Sequence, residues 1–125
     1  MISRVALPND QWIDVKDRLK VVDKKNVHSY SVDGVSSDGK TYRFNVVKHH
    51  IATAAVRIVN WGLKDETGKL IPWPTGKPFD ERVTVIEGLD EEQFDGLVEA
   101  LGARAKEVEA ESADEKKESP AGVTT

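Results

Sequence analysis

Cysteine does not occur anywhere in the 125 residues of the chain. Disulfides, thiolate metal sites and a cysteine nucleophile are therefore excluded, and the composition fits a cytosolic setting. Long apolar runs are missing as well. No stretch approaches the roughly 18 consecutive apolar residues that a membrane span needs. The opening Met1-Ile2-Ser3-Arg4-Val5-Ala6-Leu7-Pro8 has neither a long apolar core nor a small-residue cleavage site, so a signal peptide is not expected. Positive charge is outweighed: 18 Lys and Arg face 22 Asp and Glu, for a formal net charge of −4. A nucleic-acid footprint needs clustered Lys and Arg to displace counterions from phosphate, so neither nucleic acid nor a membrane is an expected partner. What remains is a polar chain with enough apolar residues for one modest core.

The order of patterns predicts an α+β fold. Val5 and Leu7 share one face of a short extended run, and Ile13 and Val15 share one face of another. Pro8-Asn9-Asp10 between them is a turn signal, so an N-terminal β-hairpin is expected. Between Asp17 and Tyr30 the pattern is mixed: Asp23 is placed to cap a short helix reaching Ser29, while Val21, Val22 and Val27 are β-branched. Asp33-Gly34 and Asp38-Gly39 mark two turns in a polar segment that reads as a mobile loop or a loose hairpin.

Two amphipathic helices are expected beyond it. Phe44, Val47, Ile51, Ala54, Ala55, Ile58 and Trp61 recur at spacings of three and four, which predicts a helix over about 42–61, capped by Thr41 and ended by Gly62. Such a helix is about 30 Å long. The 63–73 segment reads as a ribbon turning at Asp65-Glu66-Thr67-Gly68, with Pro72, Pro74 and Pro78 barring a central strand. Residues 79–86 fit a strand by alternation and a short helix through Phe79, Val83 and Ile86. Asp90 followed by Gln93 is a capping-box pattern, and Phe94, Leu97, Val98, Leu101, Ala105 and Val108 continue at helical spacing over about 90–109. The expected core anchors are Phe44, Val47, Ile51, Ile58, Trp61, Phe94, Leu97 and Leu101. From Ala110 the chain has little to bury, and four acids and two lysines give it a net charge of −2. A domain over 1–109 followed by a disordered acidic tail over 110–125 is the expected organisation.

No residue set points to catalysis. Adjacent His49 and His50 on a helix point about 100° apart and do not converge on one ion. His28, Ser29 and Asp33 fall in no nucleophile–base motif. No metal, cofactor or catalytic residue is expected. Lys16, Arg18, Lys20, Lys24 and Lys25 form a local basic patch suited to an acidic partner or a phosphate, but Asp14, Asp17 and Asp23 dilute it towards an ordinary solvated surface. Tryptophan concentrates in binding hot spots. Trp12, Trp73 between two prolines, and Phe79 at the start of its element are the candidate partner-binding residues.

The segments Val15-Lys16-Asp17-Arg18-Leu19, Val59-Asn60-Trp61-Gly62-Leu63, Asp65-Glu66-Thr67-Gly68-Lys69-Leu70-Ile71-Pro72 and Gly88-Leu89-Asp90-Glu91-Glu92-Gln93-Phe94-Asp95-Gly96-Leu97-Val98-Glu99-Ala100-Leu101 follow one another in an order that resembles small tail-region proteins of long-tailed bacteriophages. The nearest type is the tail assembly chaperone, and the similarity spans about 1–108. The resemblance implies a non-enzymatic protein of the host cytoplasm that binds the long helical tape measure protein and keeps it soluble while the tail tube polymerises. It also implies, in many members, a longer frameshifted form. The β-like start of the chain suits an alternative: a structural virion protein such as a head–tail connector, a tail tube or terminator component, or a capsid decoration protein, with homo-oligomers compatible with either.

Overall fold

The computed structural model describes the backbone of residues 2–123 and the side chains of residues 2–111. Strands β1 (Ile2–Leu7) and β2 (Gln11–Lys16) form the expected antiparallel hairpin, with Val5 opposite Ile13 and Leu7 opposite Gln11. Asn9 and Asp10 both take positive φ, 62° and 59°, the pattern of a type I′ turn that matches the twist of paired strands. Helix α1 (Val21–Ser31) follows, then a second hairpin of β3 (Val32–Val35) and β4 (Tyr42–Phe44), helix α2 (Val46–Arg57), strand β5 (Ile58–Trp61), helix α3 (Phe79–Glu87) and helix α4 (Glu91–Val123).

The three-stranded sheet has the order β1-β2-β5, with β5 antiparallel to β2. Ile13 lies opposite Trp61 and Val15 opposite Ile58, and all four are buried. The N–H of Gly62 extends the ladder by donating to Trp12 O at 2.8 Å. Helix α2 packs against α1, α3 and α4 and presents Ala52, Ala54, Ala55 and Val56 to the interior. Ile13, Ile58, Leu63, Ile86 and Leu97 are fully buried where these layers meet. Each such side chain removed from water stabilises the fold by about 1.5–3 kcal/mol.

The expected 42–61 helix is shorter at both ends. Tyr42–Phe44 is a strand, and the cap is Asn45, whose side-chain oxygen accepts from Lys48 N at 3.0 Å; Thr41 does not cap it. The helix ends at Arg57, because pairing with β2 draws Ile58–Trp61 into the sheet. Gly62 therefore ends no helix. Phe44 and Val47, expected as core anchors, are 53% and 58% exposed, while Ile58, Trp61, Leu97 and Leu101 are buried and Ile51 and Phe94 pack partly buried against the core.

Asp23 sits in the first turn of α1 and accepts the Lys20 N–H at 2.9 Å, so Lys20 occupies the cap position. The 79–86 segment is helical, with Val83 and Ile86 buried. Asp90 accepts from Gln93 N at 2.8 Å, but the Gln93 side chain does not return to it and instead donates to Lys64 O at 2.6 Å. The ribbon turns at Asp65, whose Oδ1 accepts from the N–H groups of Thr67 and Lys69, and Gly68 supplies the positive φ of 85° there. The disordered tail expected over 110–125 lies, from residue 112 onward, outside the residues whose side chains are described.

A candidate protein-docking surface

The three aromatics singled out for partner binding are all half-buried. The Trp73 ring meets Trp61 at 4.6 Å between centroids, and Phe79 meets Tyr30 edge-on at 6.0 Å. Trp12 lies beneath the Arg4 guanidinium at 3.8 Å, with the Nε1 part of its ring close against Gly62. Each ring thus has intramolecular partners, and the three are not gathered on one face of contact. The Trp61 Nε1–H donates to Ile71 O at 2.8 Å, so the two tryptophans Trp61 and Trp73 fasten the ribbon to the sheet.

A different surface is open. Val35, Tyr42, Phe44, Val46 and Val47 are all more than half exposed. Four local features bring them together. Antiparallel pairing sets Val35 opposite Tyr42. Alternation along β4 puts Tyr42 and Phe44 on the same side of the hairpin. Asn45 then turns the chain straight into α2, whose first turn carries Val46 and Val47. Finally, the hairpin is moored to the body: Asn45 N donates to Ser31 O at 2.8 Å, Asn45 Nδ2 donates to Asp33 at 2.9 Å, and Lys48 pairs with Asp33 at 2.7 Å. A two-stranded hairpin is marginal by itself, so these tethers hold the aromatic pair in place.

All three histidines border this surface. His28 of α1 stands edge-on to Tyr42 at 5.6 Å, His49 of α2 lies against Phe44 at 5.2 Å, and His50 adjoins His49. Burial first, and then His50 alongside, lower the pKa of His49 below the ordinary histidine value. Asp33, held by Lys48 and Asn45, is pushed below the usual carboxylate range, and Lys48 is raised in turn by Asp33. Asp33 is thus committed to Lys48 and Asn45 and does not orient His28 as a base for Ser29.

Elsewhere, a cleft of about 420 Å³ opens between the 8–11 turn, the ribbon and the first turns of α4, floored by Leu63 and Leu97. Among the described residues, no group of three or more His, Asp or Glu is placed to hold a metal ion, and no helix is long and apolar enough to cross a membrane.

Periodicity alone hides this exposed surface, because Phe44 and Val47 fit the helical stripe and read as core. One signal could have exposed them: Tyr42-Arg43-Phe44 alternates like a strand and is followed by Asn45, a strong helix-capping residue. Comparison with protein-family models, with curated proteins and with solved structures gives no match.

Proposed function

We propose that the chain is a non-enzymatic protein-binding module, acting as a tail assembly chaperone of a long-tailed bacteriophage that binds the tape measure protein in the host cytoplasm and keeps it soluble. The observation that carries the binding reading is the tethered, exposed surface of Val35, Tyr42, Phe44, Val46 and Val47. A holdase needs apolar surface that its own fold leaves uncovered, and enough net charge to remain soluble. This chain combines both, with a net charge of −4. An amphipathic helix of the partner laid across an apolar face is an established recognition mode. The assignment to tail assembly rests on the resemblance of the Asn60-Trp61-Gly62-Leu63, Asp65-Glu66-Thr67-Gly68 and Gly88-Leu89-Asp90 segments.

Mass spectrometry of purified particles, with copy number, tests the reading. A chaperone is absent from the particle and abundant in the infected-cell lysate, where it co-purifies with the tape measure protein. Many copies per particle would make the chain a structural virion component and overturn the chaperone assignment.

A further inference from the structure

We propose that the exposed hairpin surface selects an acidic amphipathic segment of its protein partner: a helix or strand with apolar residues on one face and Asp or Glu along its borders. The proposal rests on the docking reading above and adds the charge of the occupant.

The argument is the distribution of charge around the apolar patch. The chain as a whole is acidic, yet residues 39–64 contain no Asp or Glu at all, while Lys40, Arg43, Lys48, Arg57 and Lys64 fall within them. That interval holds β4 and the first turn of α2, which carry the two exposed aromatics with Val46 and Val47; Val35 lies on β3, outside it. On the neighbouring element, Lys24 and Lys25 lie one helical turn before His28, whose ring touches Tyr42. Among the described residues, the ion pairs engage Lys48 but none of Lys24, Lys25, Lys40 and Arg43. The acids nearby are engaged: Asp33 with Lys48 and Asn45 and, at longer range, Arg43; Asp38 with Ser36 and the Lys40 N–H within the hairpin turn; and Glu87, which acts on Lys48, accepts from the Tyr30 hydroxyl. The patch is therefore apolar at its centre and cationic at its border: among the described residues Lys24, Lys25, Lys40 and Arg43 form no ion pair, and of these only Arg43 feels the charge of Asp33.

An acidic border on the partner matches that arrangement, and a basic one would bring like charges together as the apolar faces dock. Exposed aromatics among cations also suit single-stranded nucleic acid, which stacks bases on such rings. The aliphatic part favours protein: Val35, Val46 and Val47 offer no stacking face and need apolar side chains to cover them.

The test uses the full chain, labelled with ¹⁵N and titrated with three probes. One is a 20-residue amphipathic helical peptide with leucines at positions i, i+3, i+4 and i+7 and glutamates flanking them. The second is the same peptide with lysines in place of glutamates. The third is a single-stranded oligothymidine. The expected result is binding of the glutamate peptide at least tenfold tighter than the lysine peptide. Amide shifts should cluster over Val35, Tyr42–Phe44 and the start of α2. The preference should be lost in Lys40→Glu/Arg43→Glu, whose melting temperature stays within a few degrees of the parent because both residues are exposed. Equal binding of the two peptides at the patch would overturn the charge selection and leave the docking reading standing. Shifts from neither peptide would overturn both. Tight, salt-sensitive binding of the oligothymidine at the same amides, with none of the glutamate peptide, would overturn the proposal in favour of nucleic acid.

Discussion

Gly62 stands where the Trp12 ring crosses the end of β5, and replacing it with alanine tests the packing of that corner directly. Gly62 does not have a positive φ, so its backbone accepts alanine without strain. By itself, Gly→Ala at such a position stabilises by about 0.4–1 kcal/mol, because the unfolded chain loses freedom. The obstacle is the neighbour. A Cβ on Gly62 would fall 2.9 Å from Trp12 Cδ1 and closer still to Nε1 and Cε2. The ring must move, and overpacking of this kind costs about 1–3 kcal/mol. Its displacement also weakens the stacking of Arg4 over the ring at 3.8 Å, worth about 0.5–1 kcal/mol at an exposed site. Gly62→Ala should therefore destabilise the protein by about 0.5–3.5 kcal/mol net of the unfolded-state gain. In a Trp12→Ala background the obstacle is gone, and the same substitution should become neutral or stabilising by up to about 1 kcal/mol. Urea unfolding of the four proteins, with the m-value checked for constancy, gives the coupling. Equal effects of Gly62→Ala in both backgrounds, within about 0.5 kcal/mol, would refute the reasoning and place the strain in the backbone or in another neighbour.

Further outcomes follow from other sites. Trp61→Ala removes a side chain that is 4% exposed, set edge-on to Trp73 and bonded to Ile71 O, and should cost about 3–5 kcal/mol by chemical denaturation; a loss under about 1 kcal/mol would show the corner repacks without it. Val47→Ser, at a residue 58% exposed, should change stability by no more than about 0.5 kcal/mol while weakening capture of the partner; a large loss of stability would return Val47 to the core. Acidification should lower stability in two stages. His49 is depressed below its ordinary 6.5 by burial and by His50, so folding favours the neutral ring and stability falls as pH drops below that value; His49→Gln should remove this stage in a pH series of urea midpoints. Asp17 is depressed below 3.8, first by the hydrogen bonds from Arg104, so its contribution is complete above that range and is lost as pH falls through it; Asp17→Asn should flatten that second stage.

Much of the fold is legible in the chain because local and tertiary preferences agree there. Ile13 and Val15 alternate with Trp12 and Asp14, and a strand buried on one face needs nothing else. Asn9-Asp10 accepts the positive φ values that the hairpin requires. Leu97 and Leu101 recur at the helical interval behind an Asp cap, and α4 begins where that cap predicts. The failures lie where two geometries satisfy one spacing. Phe44, Val47 and Ile51 follow at three and four residues, and so would any strand residue that happens to precede a helix by the right interval. At the other end, Ile58 and Trp61 continue the same stripe, although Val56, Ile58 and Val59 are β-branched and suit a sheet. The pairing with β2 decides the matter, and β2 is more than 40 residues away in sequence, beyond the reach of any local pattern.

That ambiguity also concealed the candidate site. An interface and a core are both apolar, and periodicity reports where apolar residues recur without reporting what covers them. Once β4 is read as helix, Phe44 joins Ile51 and Ile58 on one buried stripe and no uncovered surface remains to be noticed. The distinguishing information lies in the flanks. A helix buried by its own fold carries mixed charge on its outer face, as α4 does with Arg104 and Lys106 beside Glu107 and Glu109. Residues 39–64 break that pattern with five cations and no acid. Without an acid in the segment, Lys48 and Arg57 cannot pair along α2 at the i, i+4 spacing that ordinarily neutralises a solvated face, and Lys40 and Arg43 find no acid in β4. Their counter-charge must come from elsewhere in the fold, as Lys48 finds in Asp33, or from another molecule. Arg43 forms no ion pair among the described residues and shares the field of Asp33 with Lys48, and it sits between Tyr42 and Phe44, the two exposed aromatics that the fold leaves uncovered.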